Sequence, residues 1–383
     1  MKKFLALILA LVMSLSLVAC GGSKEEAKPA EQPAEQPAEE QGADFSVAMI
    51  TDYGDITDQS FNQTTYEACK AYCEANGVDF NYYKPAGDST AERVAMVEAA
   101  VDDGYTVVVM PGYAFGETIT QVADEYSDIT FIALDVGEGD LGDYTLPSNV
   151  YCAVYQEELC GYMAGYAAVK LGYTHLGFLG GMAVPAVVRY GYGFVQGADA
   201  AATETGADVT MEYVYGNQFW GDADITAYMD NWYQTLGVEV VFACGGGIYA
   251  SAAEAAAKVG GKVIGVDVDQ AAIIDGGYGD GMTVTSAMKG LAPTVEHMLT
   301  EVAAGNFANY GGKIETLGLV SGDDPAANYV QIPMGSTQWS DSFSQDDYKA
   351  LVKDMFDGKI TVSNDISAMP ATSIAVNEYG NIK

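Results

Sequence analysis

The most chemically distinctive stretch of the sequence is Thr51–Gln63, which reads TDYGDITDQSFNQ. It combines carboxylates, an aromatic ring and a carboxamide in one short segment. Carboxylates accept hydrogen bonds, a carboxamide both donates and accepts them, and a flat ring can stack on a ligand. The stretch therefore predicts a small-molecule binding loop, while the plainer interpretation is a polar loop followed by a well-capped helix.

The elements on either side place this loop at the edge of a sheet. An apolar run at Ser46–Ile50 predicts a strand that ends at Asp52. Ser60 followed three residues later by Gln63 has the pattern of a capping box, so a helix is expected to begin there and continue to Gly77. A loop from strand to helix lies at the carboxyl edge of a parallel sheet, where ligands of open α/β folds bind.

The same alternation of apolar strands and helical segments continues along the chain, and several helices are closed by a C-terminal glycine. The pattern predicts an α/β fold with two doubly wound parallel-sheet lobes and a ligand cleft between them. The predicted strands are Ser46–Asp52, Asp79–Lys84, Thr106–Pro111, Thr130–Asp135, Asn149–Tyr155, His175–Gly180, Val209–Tyr215, Val238–Cys244, Lys262–Asp267 and Thr283–Met288. The helical segments include Ala91–Asp103, Glu157–Leu171, Pro185–Thr205 and Ser251–Val259.

Strand ends supply the candidate site residues, since the carboxyl ends of both lobes face the cleft. Asp52, Asp135 and Asp267 each follow a different strand, although a lone Asp in that position is commonly a helix N-cap. With Phe61 and the pair Phe219-Trp220 in other loops, they favour a polar and aromatic cleft.

Enzymatic alternatives have weaker support in the sequence. Gly245-Gly246-Gly247 follows a strand and matches a dinucleotide-binding fingerprint, but close backbone approach to any ligand explains these glycines equally well. The two histidines, His175 and His297, fit structural roles, and a pair of carboxylates acting as a glycosidase remains a minor alternative. We therefore predict no catalytic residue, no cofactor and no metal site.

The N-terminus predicts the cellular location. Lys2 and Lys3 precede an apolar run that ends in Leu17-Val18-Ala19-Cys20, the pattern of a signal peptide (residues 1–19) with a lipobox. Cys20 would carry the lipid, and the low-complexity segment 20–43 would be a disordered tether. The prediction is a lipid-anchored protein on the extracellular face of the cell membrane.

Charge and cysteine usage narrow the partners. A formal net charge of −36 would repel nucleic acid, and it favours a neutral or weakly cationic small ligand. The five cysteines beyond Cys20 match no zinc pattern, and small buried apolar residues are their expected role. We predict a monomer.

Several motifs together resemble the basic membrane protein family of substrate-binding lipoproteins, and in particular its purine nucleoside receptors. They are SVAMITDYGDITDQSFNQTTYEA, FIALD, NVYCAVYQEELCGYMAG, HLGFLGGMAVPAVVRYGYGFVQGA, VVFACGGG, IGVDVDQ and VTSAMKG, in this order. The resemblance covers about 46–359 and implies a type I periplasmic binding protein fold that delivers its ligand to an ABC transporter permease.

The resemblance also implies roles for individual residues. Asp52, Phe61 and Asn62 match the base-binding Asp, stacking Phe and Asn of the family, and Asp135 and Met182 match further site positions.

The remaining implied residues belong to the later part of the chain. Asp267 and Lys289 match the ribose-binding pair, and Gly245–Gly247 match the glycine-rich turn. The second stacking ring falls in a loop that departs from the family pattern, so Phe219 and Trp220 both remain candidates.

The sequence thus predicts a first lobe at 44–155 completed by about 289–330, and a second lobe at 156–288 completed by about 331–383. The predicted function is binding of purine nucleosides for an ABC importer. The alternatives are a protein of the same fold that binds a sugar or a flavin-like vitamin and, less favoured, an extracellular nucleotide-cofactor enzyme.

Overall fold

The computed structural model describes residues 45–382, in which two predominantly parallel β-sheets form the framework. The first sheet has the strand order β11-β5-β4-β3-β1-β2. Its strands are β1 (Val47–Ile50), β2 (Phe80–Tyr83), β3 (Val107–Pro111), β4 (Thr130–Leu134), β5 (Val150–Tyr155) and β11 (Lys313–Leu317).

The second sheet has the order β12-β10-β9-β8-β6-β7-β13, in which only the β10–β12 pairing is antiparallel. Its strands are β6 (His175–Gly180), β7 (Thr210–Tyr215), β8 (Val240–Cys244), β9 (Lys262–Asp267), β10 (Thr283–Lys289), β12 (Val330–Gln331) and β13 (Ala375–Asn381). Parallel strands require crossover connections, and helices provide most of them here.

Eleven α-helices connect or cover these strands within the described residues. They are α1 (Phe61–Asn76), α2 (Thr90–Asp102), α3 (Phe115–Val122), α4 (Glu138–Leu141), α5 (Glu157–Lys170), α6 (Pro185–Thr205), α7 (Ala223–Asn231), α8 (Tyr249–Ala257), α9 (Ala271–Tyr278), α10 (Leu291–Ala303) and α11 (Gln345–Phe356). None of the helices in 45–382 is long and apolar enough to span a membrane. The predicted signal peptide, Cys20 and the tether lie outside the described residues.

All ten predicted strands are present, and three further strands were not predicted. The apolar runs were recognisable because the central strands are buried on both faces. β11 and β13 are edge strands without a fully buried side chain, and β12 has only two residues. The predicted division into lobes, with its boundaries, stays a prediction.

The start of α1 corrects the predicted capping box. Ser60 does occupy the N-cap position, but its side chain makes no cap hydrogen bond. Asp58 takes over this role, because its Oδ1 accepts hydrogen bonds from the backbone N–H groups of Ser60 and Gln63 at 2.9 and 3.0 Å. The Ser60 hydroxyl is thereby free to contact another part of the molecule.

The first strand also ends two residues earlier than predicted, at Ile50. Asp52 turns the chain instead of extending it, since its Oδ1 accepts the N–H groups of both Tyr53 and Gly54 at 2.6 Å. Asp52 therefore lies in the loop, directly at the carboxyl edge.

Helices α5 and α6 pack unusually closely through glycines. A Cβ on Gly161 or Gly165 of α5 would overlap the backbone of α6, and one on Gly193 or Gly197 of α6 would overlap the backbone of α5. This close contact fixes the N-terminal ends of both helices beside the cleft, where they place Glu157 and Arg189.

The two histidines lie away from the cleft, and of the described cysteines only Cys244 lines it. His175 pairs with Glu212, and His297 contacts the hydroxyl of Tyr310, which supports structural roles for both histidines. All five described cysteines are buried free thiols. No cluster of three or more metal-binding side chains occurs among residues 45–382.

Candidate functional site

A cavity of about 850 Å³ lies between the carboxyl edges of the two sheets. Cavities of roughly 300–1,000 Å³ are typical of small-molecule sites. Residues that follow β1, β2, β3 and β4, with residues of β5 and β11, form one wall. Residues at or after the carboxyl ends of β6, β7, β8, β9 and β10 form most of the other.

Nearly all of the predicted site residues line this cavity. They are Asp52, Phe61, Asn62, Asp135, Phe219, Trp220, Gly245, Gly246, Gly247, Asp267 and Lys289. Met182 is not part of the lining; its sulfur accepts a hydrogen bond of 3.3 Å from the hydroxyl of Tyr53, which does line the cavity. Met182 thus reaches the cavity only through the Tyr53 side chain.

Asp52 and Asn62 form a buried polar pair on the first wall. The Asn62 amide donates to Asp52 Oδ1 at 3.2 Å and to Asp58 Oδ2 at 3.3 Å. Burial raises the pKa of Asp52, an effect opposed by the N–H groups of Gly54 and Tyr53. The Asn62 carbonyl oxygen is buried without a protein partner, so this pair still offers an acceptor to a bound ligand.

Phe61 provides an aromatic surface on the same wall. The Lys289 ammonium lies 4.7 Å from the centroid of its ring, within the range of a cation–π contact. Lys289 thus covers one face of Phe61. Phe61 and Lys289 both line the cavity.

The packing of the loop after β7 distinguishes its two adjacent rings, Phe219 and Trp220, on the second wall. A Cβ on Gly181 would collide with the Phe219 ring, and one on Gly245 would lie 3.0 Å from it. The ring of Phe219 therefore packs against Gly181 and Gly245 inside the cleft. Trp220 also lines the cavity, but 53% of its surface is exposed to solvent.

Lys289 is the centre of a buried charge cluster. Its Nζ lies 2.5 Å from Asp135 Oδ2, 3.5 Å from Glu157 Oε1 and 3.8 Å from Asp267 Oδ1. Arg189 completes the cluster, with its Nε 2.6 Å from Glu157 Oε2. Two cations thus hold three carboxylates at the base of the cleft.

The electrostatics of this cluster keep Lys289 charged. Burial alone would lower its pKa, but the carboxylates of Asp135, Asp267 and Glu157 outweigh burial and raise the pKa above its ordinary value. Burial raises the pKa of Asp135 to about 6; the Lys289 charge works against this shift and the Glu157 carboxylate adds to it. Asp135 Oδ1 has no protein partner and is a further ligand acceptor.

Asp267 joins the two walls directly. Its Oδ2 accepts a buried hydrogen bond of 2.6 Å from the Ser60 hydroxyl, and its Oδ1 accepts one of 3.3 Å from Tyr190. A second contact runs in parallel, because the Gln270 amide donates to the backbone carbonyl of Gln59 at 3.1 Å. The first sheet's α1 and the second sheet's β9 are therefore in direct contact across the cleft.

Backbone strain is concentrated at the same place. Among residues 45–382, four non-glycine residues have a positive φ, namely Gln59, Asp135, Asn217 and Asp267, with φ between 57° and 64°. Such conformations are uncommon for non-glycine residues, although Asp and Asn adopt them more readily than most, and they cost up to about 1–3 kcal/mol each. Two of the four are site carboxylates, so the fold holds them in orientations that an unconstrained chain would avoid.

Sequence reasoning missed Ser60 as a contact residue and did not consider Tyr53, Glu157, Arg189 or Tyr190. Glu157 and Arg189 carried a usable signal, since each is a charged residue in a helix rich in Gly and Ala. Such helices bury most of their surface, and buried charges are paired. The contact of Ser60 with Asp267, 207 positions away in the sequence, had no such signal.

The fold and the cleft define the class of protein. Two α/β lobes with their carboxyl edges around a ligand cavity form a type I periplasmic binding protein-like fold. A solute-binding protein of an ABC transporter system from Aeropyrum pernix K1 has the same fold, with a TM-score of 0.63 and 21% identity over 84% of this chain and 88% of that structure.

The family follows from the sequence match. The family of ABC transporter substrate-binding proteins described as PnrA-like matches residues 45–350, and the chain belongs to it. It is similar to a CD4+ T-cell-stimulating antigen of Listeria monocytogenes, with 29% identity over 82% of this chain and 87% of the relative. It is also similar to the ABC transporter nucleoside-binding protein BmpA of Lactococcus lactis, with 25% identity over 83% of this chain and 89% of the relative.

Family membership confirms two predictions. The chain is a substrate-binding protein of an ABC transporter and not an enzyme. Its partners are therefore a small ligand and a permease. Membership in a family of substrate-binding proteins also removes the alternative of a nucleotide-cofactor enzyme.

Proposed function

We propose that this protein binds purine nucleosides in the cleft and delivers them to its permease. The observation that carries the proposal is the pair of rings Phe61 and Phe219 on opposite walls of one cavity. Two such rings suit a flat heterocycle, with stacking worth about 1–3 kcal/mol per base. A sugar would gain less from this arrangement.

Polar groups beside the rings fit the rest of a nucleoside. Asp52 and Asn62 are suited to the base edge, since a carboxylate accepts hydrogen bonds and a carboxamide does both. Asp267 and Lys289 are suited to the ribose, because a diol donates to a carboxylate and an ammonium donates to oxygen. Nucleoside binding by the Lactococcus lactis relative supports the same choice.

A titration panel tests the ligand class. We expect inosine, guanosine or adenosine to bind and to stabilise the purified chain by about 2.7 kcal/mol at 100 times the dissociation constant. Arabinose, galactose and riboflavin serve as competing classes. Stabilisation by a sugar or a flavin alone would overturn the proposal, as would free base appearing in a chromatogram of the recovered nucleoside.

We further propose that the protein acts as a monomer anchored outside the cell by a lipid on Cys20. The lipobox pattern supports the anchor, and two relatives from Pyrococcus are named as lipoproteins. Cys20→Ala is expected to move the protein from the membrane fraction to the soluble fraction and to leave nucleoside affinity unchanged. A Cys69→Ala variant is the matched control, and retention of Cys20→Ala in the membrane would contradict the anchor.

A further inference from the structure

The cavity is wider than the nucleoside site proposed above. Its lining runs from Lys84 after β2 to Thr316 in β11, which is the full width of the first sheet. The residues assigned to the nucleoside on this wall follow β1 and β4, two strand spacings apart, or roughly 10 Å. A nucleoside is itself roughly 10 Å long. Another roughly 10 Å of wall therefore lies beyond β4, over β5 and β11.

The wall beyond β4 changes from charged to largely apolar. Val154 of β5 and Ile314 and Thr316 of β11 line it, and Thr316 stands opposite Val154 in the strand register. This region adjoins the ribose end of the site, because the Gly137 loop, two residues after Asp135, passes beside the Val154 side chain.

The facing wall comes from the start of α6 and from the C-terminal segment. Val184 and Pro185 line it together with Ile366. The segment that carries Ile366 is tied to α6, since the Gln196 amide and the backbone of Ser363 exchange two hydrogen bonds of 2.9 and 3.0 Å. Ile366 lies beyond residue 350, where the match to the family model ends. This wall is therefore built partly by a segment outside the family match.

We propose that these residues form an apolar annex that binds an apolar substituent on the ribose end of the nucleoside. The annex consists of Val154, Val184, Pro185, Ile314, Thr316 and Ile366. The proposal rests on the proposed nucleoside function, because the ribose must lie at Lys289, which is next to Asp135, for its 5′ substituent to point over β5. Burial of apolar surface supplies the added affinity.

Charge explains why the substituent is apolar rather than anionic. Glu138 and Asp140 line the cavity beside the annex, and a phosphate there would be repelled. The neighbouring Arg189 is engaged with Glu157 at 2.6 Å. The annex therefore selects nucleosides with short alkyl or alkylthio groups over nucleotides.

Calorimetric titration of the purified full chain with three probes tests this. They are adenosine, 5′-deoxyadenosine and 5′-deoxy-5′-(methylthio)adenosine. The methylthio compound is expected to bind about five- to fifteen-fold more tightly than 5′-deoxyadenosine, from the burial of two added heavy atoms. Ile366→Asp and Thr316→Asp, from opposite walls, should each bring this ratio close to one. Ala368→Asp is the control, since Ala368 is exposed in the same segment and lies outside the lining.

The outcomes separate this proposal from the nucleoside function. If wild type binds adenosine but shows a ratio near one, the annex is wrong and nucleoside binding stands. A ratio that survives in both variants also overturns the annex as assigned. If none of the three probes binds while inosine or guanosine does, the annex fails and nucleoside binding stands. If no purine nucleoside binds, the nucleoside function fails and the annex fails with it.

Discussion

Two adjacent rings, Phe219 and Trp220, reach the cavity from the loop after β7, but their surroundings differ. Phe219 lies against Gly181 and Gly245, which fix its ring in the cleft, whereas Trp220 is more than half exposed. A stacking residue contributes most when its orientation is fixed before the ligand arrives, because less side-chain entropy is then lost. At the scale of single residues, local packing therefore selects Phe219.

The ring assignment predicts unequal effects of two alanine substitutions. Phe219→Ala should weaken nucleoside binding by about 1–3 kcal/mol, roughly five-fold to a hundred-fold, and Phe61→Ala should do the same. Trp220→Ala should have a smaller effect. Calorimetry with inosine measures all three, and a larger loss in Trp220→Ala than in Phe219→Ala would reverse the assignment.

Asp267 predicts a difference between nucleosides and free bases. Asp267→Asn preserves the side-chain shape, and Asn tolerates the left-handed backbone, with φ 64°, that this position requires. It loses the charge that would strengthen hydrogen bonds from the ribose, so affinity for guanosine should fall by about 1–2 kcal/mol more than affinity for guanine. Asp269→Asn, outside the cavity, is the control. Equal losses of affinity for guanine and guanosine would show that Asp267 does not bind the ribose.

At the scale of elements, the contact between α5 and α6 positions the charged base of the cleft. The two helices approach closely enough that glycines on each face the backbone of the other. Glu157 begins α5 and Arg189 lies in the second turn of α6, so their ion pair depends on this approach. The two helices together hold this ion pair beside the cleft.

This packing predicts a stability loss from one added methyl group. Gly165→Ala should destabilise the protein by about 1–3 kcal/mol, because the new Cβ would overlap the backbone of Phe194. Gly276→Ala in α9 is the matched control, since nothing lies within 4 Å of its added Cβ and helix propensity should make it neutral or slightly stabilising. Denaturant unfolding measures both. An unchanged Gly165→Ala would mean that the helices can move apart at little cost.

The elements also show what sequence could predict. Strands such as Val107–Pro111 and Val240–Cys244 are buried on both faces, so their sequences are continuously apolar and easily recognised. Ala375–Asn381 is an exposed edge strand with the composition of a loop, and its pairing depends on a neighbour far away in sequence. Ser60 shows the same limit in the site, because local pattern predicted a cap while a distant carboxylate determined its contact.

At the scale of the whole molecule, the two walls of the cleft depend on each other. The α1 side supplies Phe61 and Asn62, and the second sheet supplies Phe219 and Asp267. Neither wall alone encloses a ligand. A ligand that contacts both will favour the closed arrangement by its difference in affinity between the open and closed states. We propose that this closure is the state that the permease recognises.

Ser60 provides a test of this closure. In the closed arrangement its hydroxyl donates to the buried Asp267 carboxylate at 2.6 Å, and hydrogen bonds to charged groups are worth about 1.5–3 kcal/mol. Opening would separate the two groups, so Ser60→Ala should remove part of the stability of the closed form and weaken inosine binding by up to roughly ten- to a hundred-fold. Small-angle scattering should show the radius of gyration of wild type falling as inosine is added, with the same fall in Ser60→Ala only at higher inosine concentration. Ser89→Ala is the control, because Ser89 is also a helix N-cap serine but bonds only within its own helix. Identical titration curves for wild type and Ser60→Ala would show that the contact across the cleft does not contribute to closure.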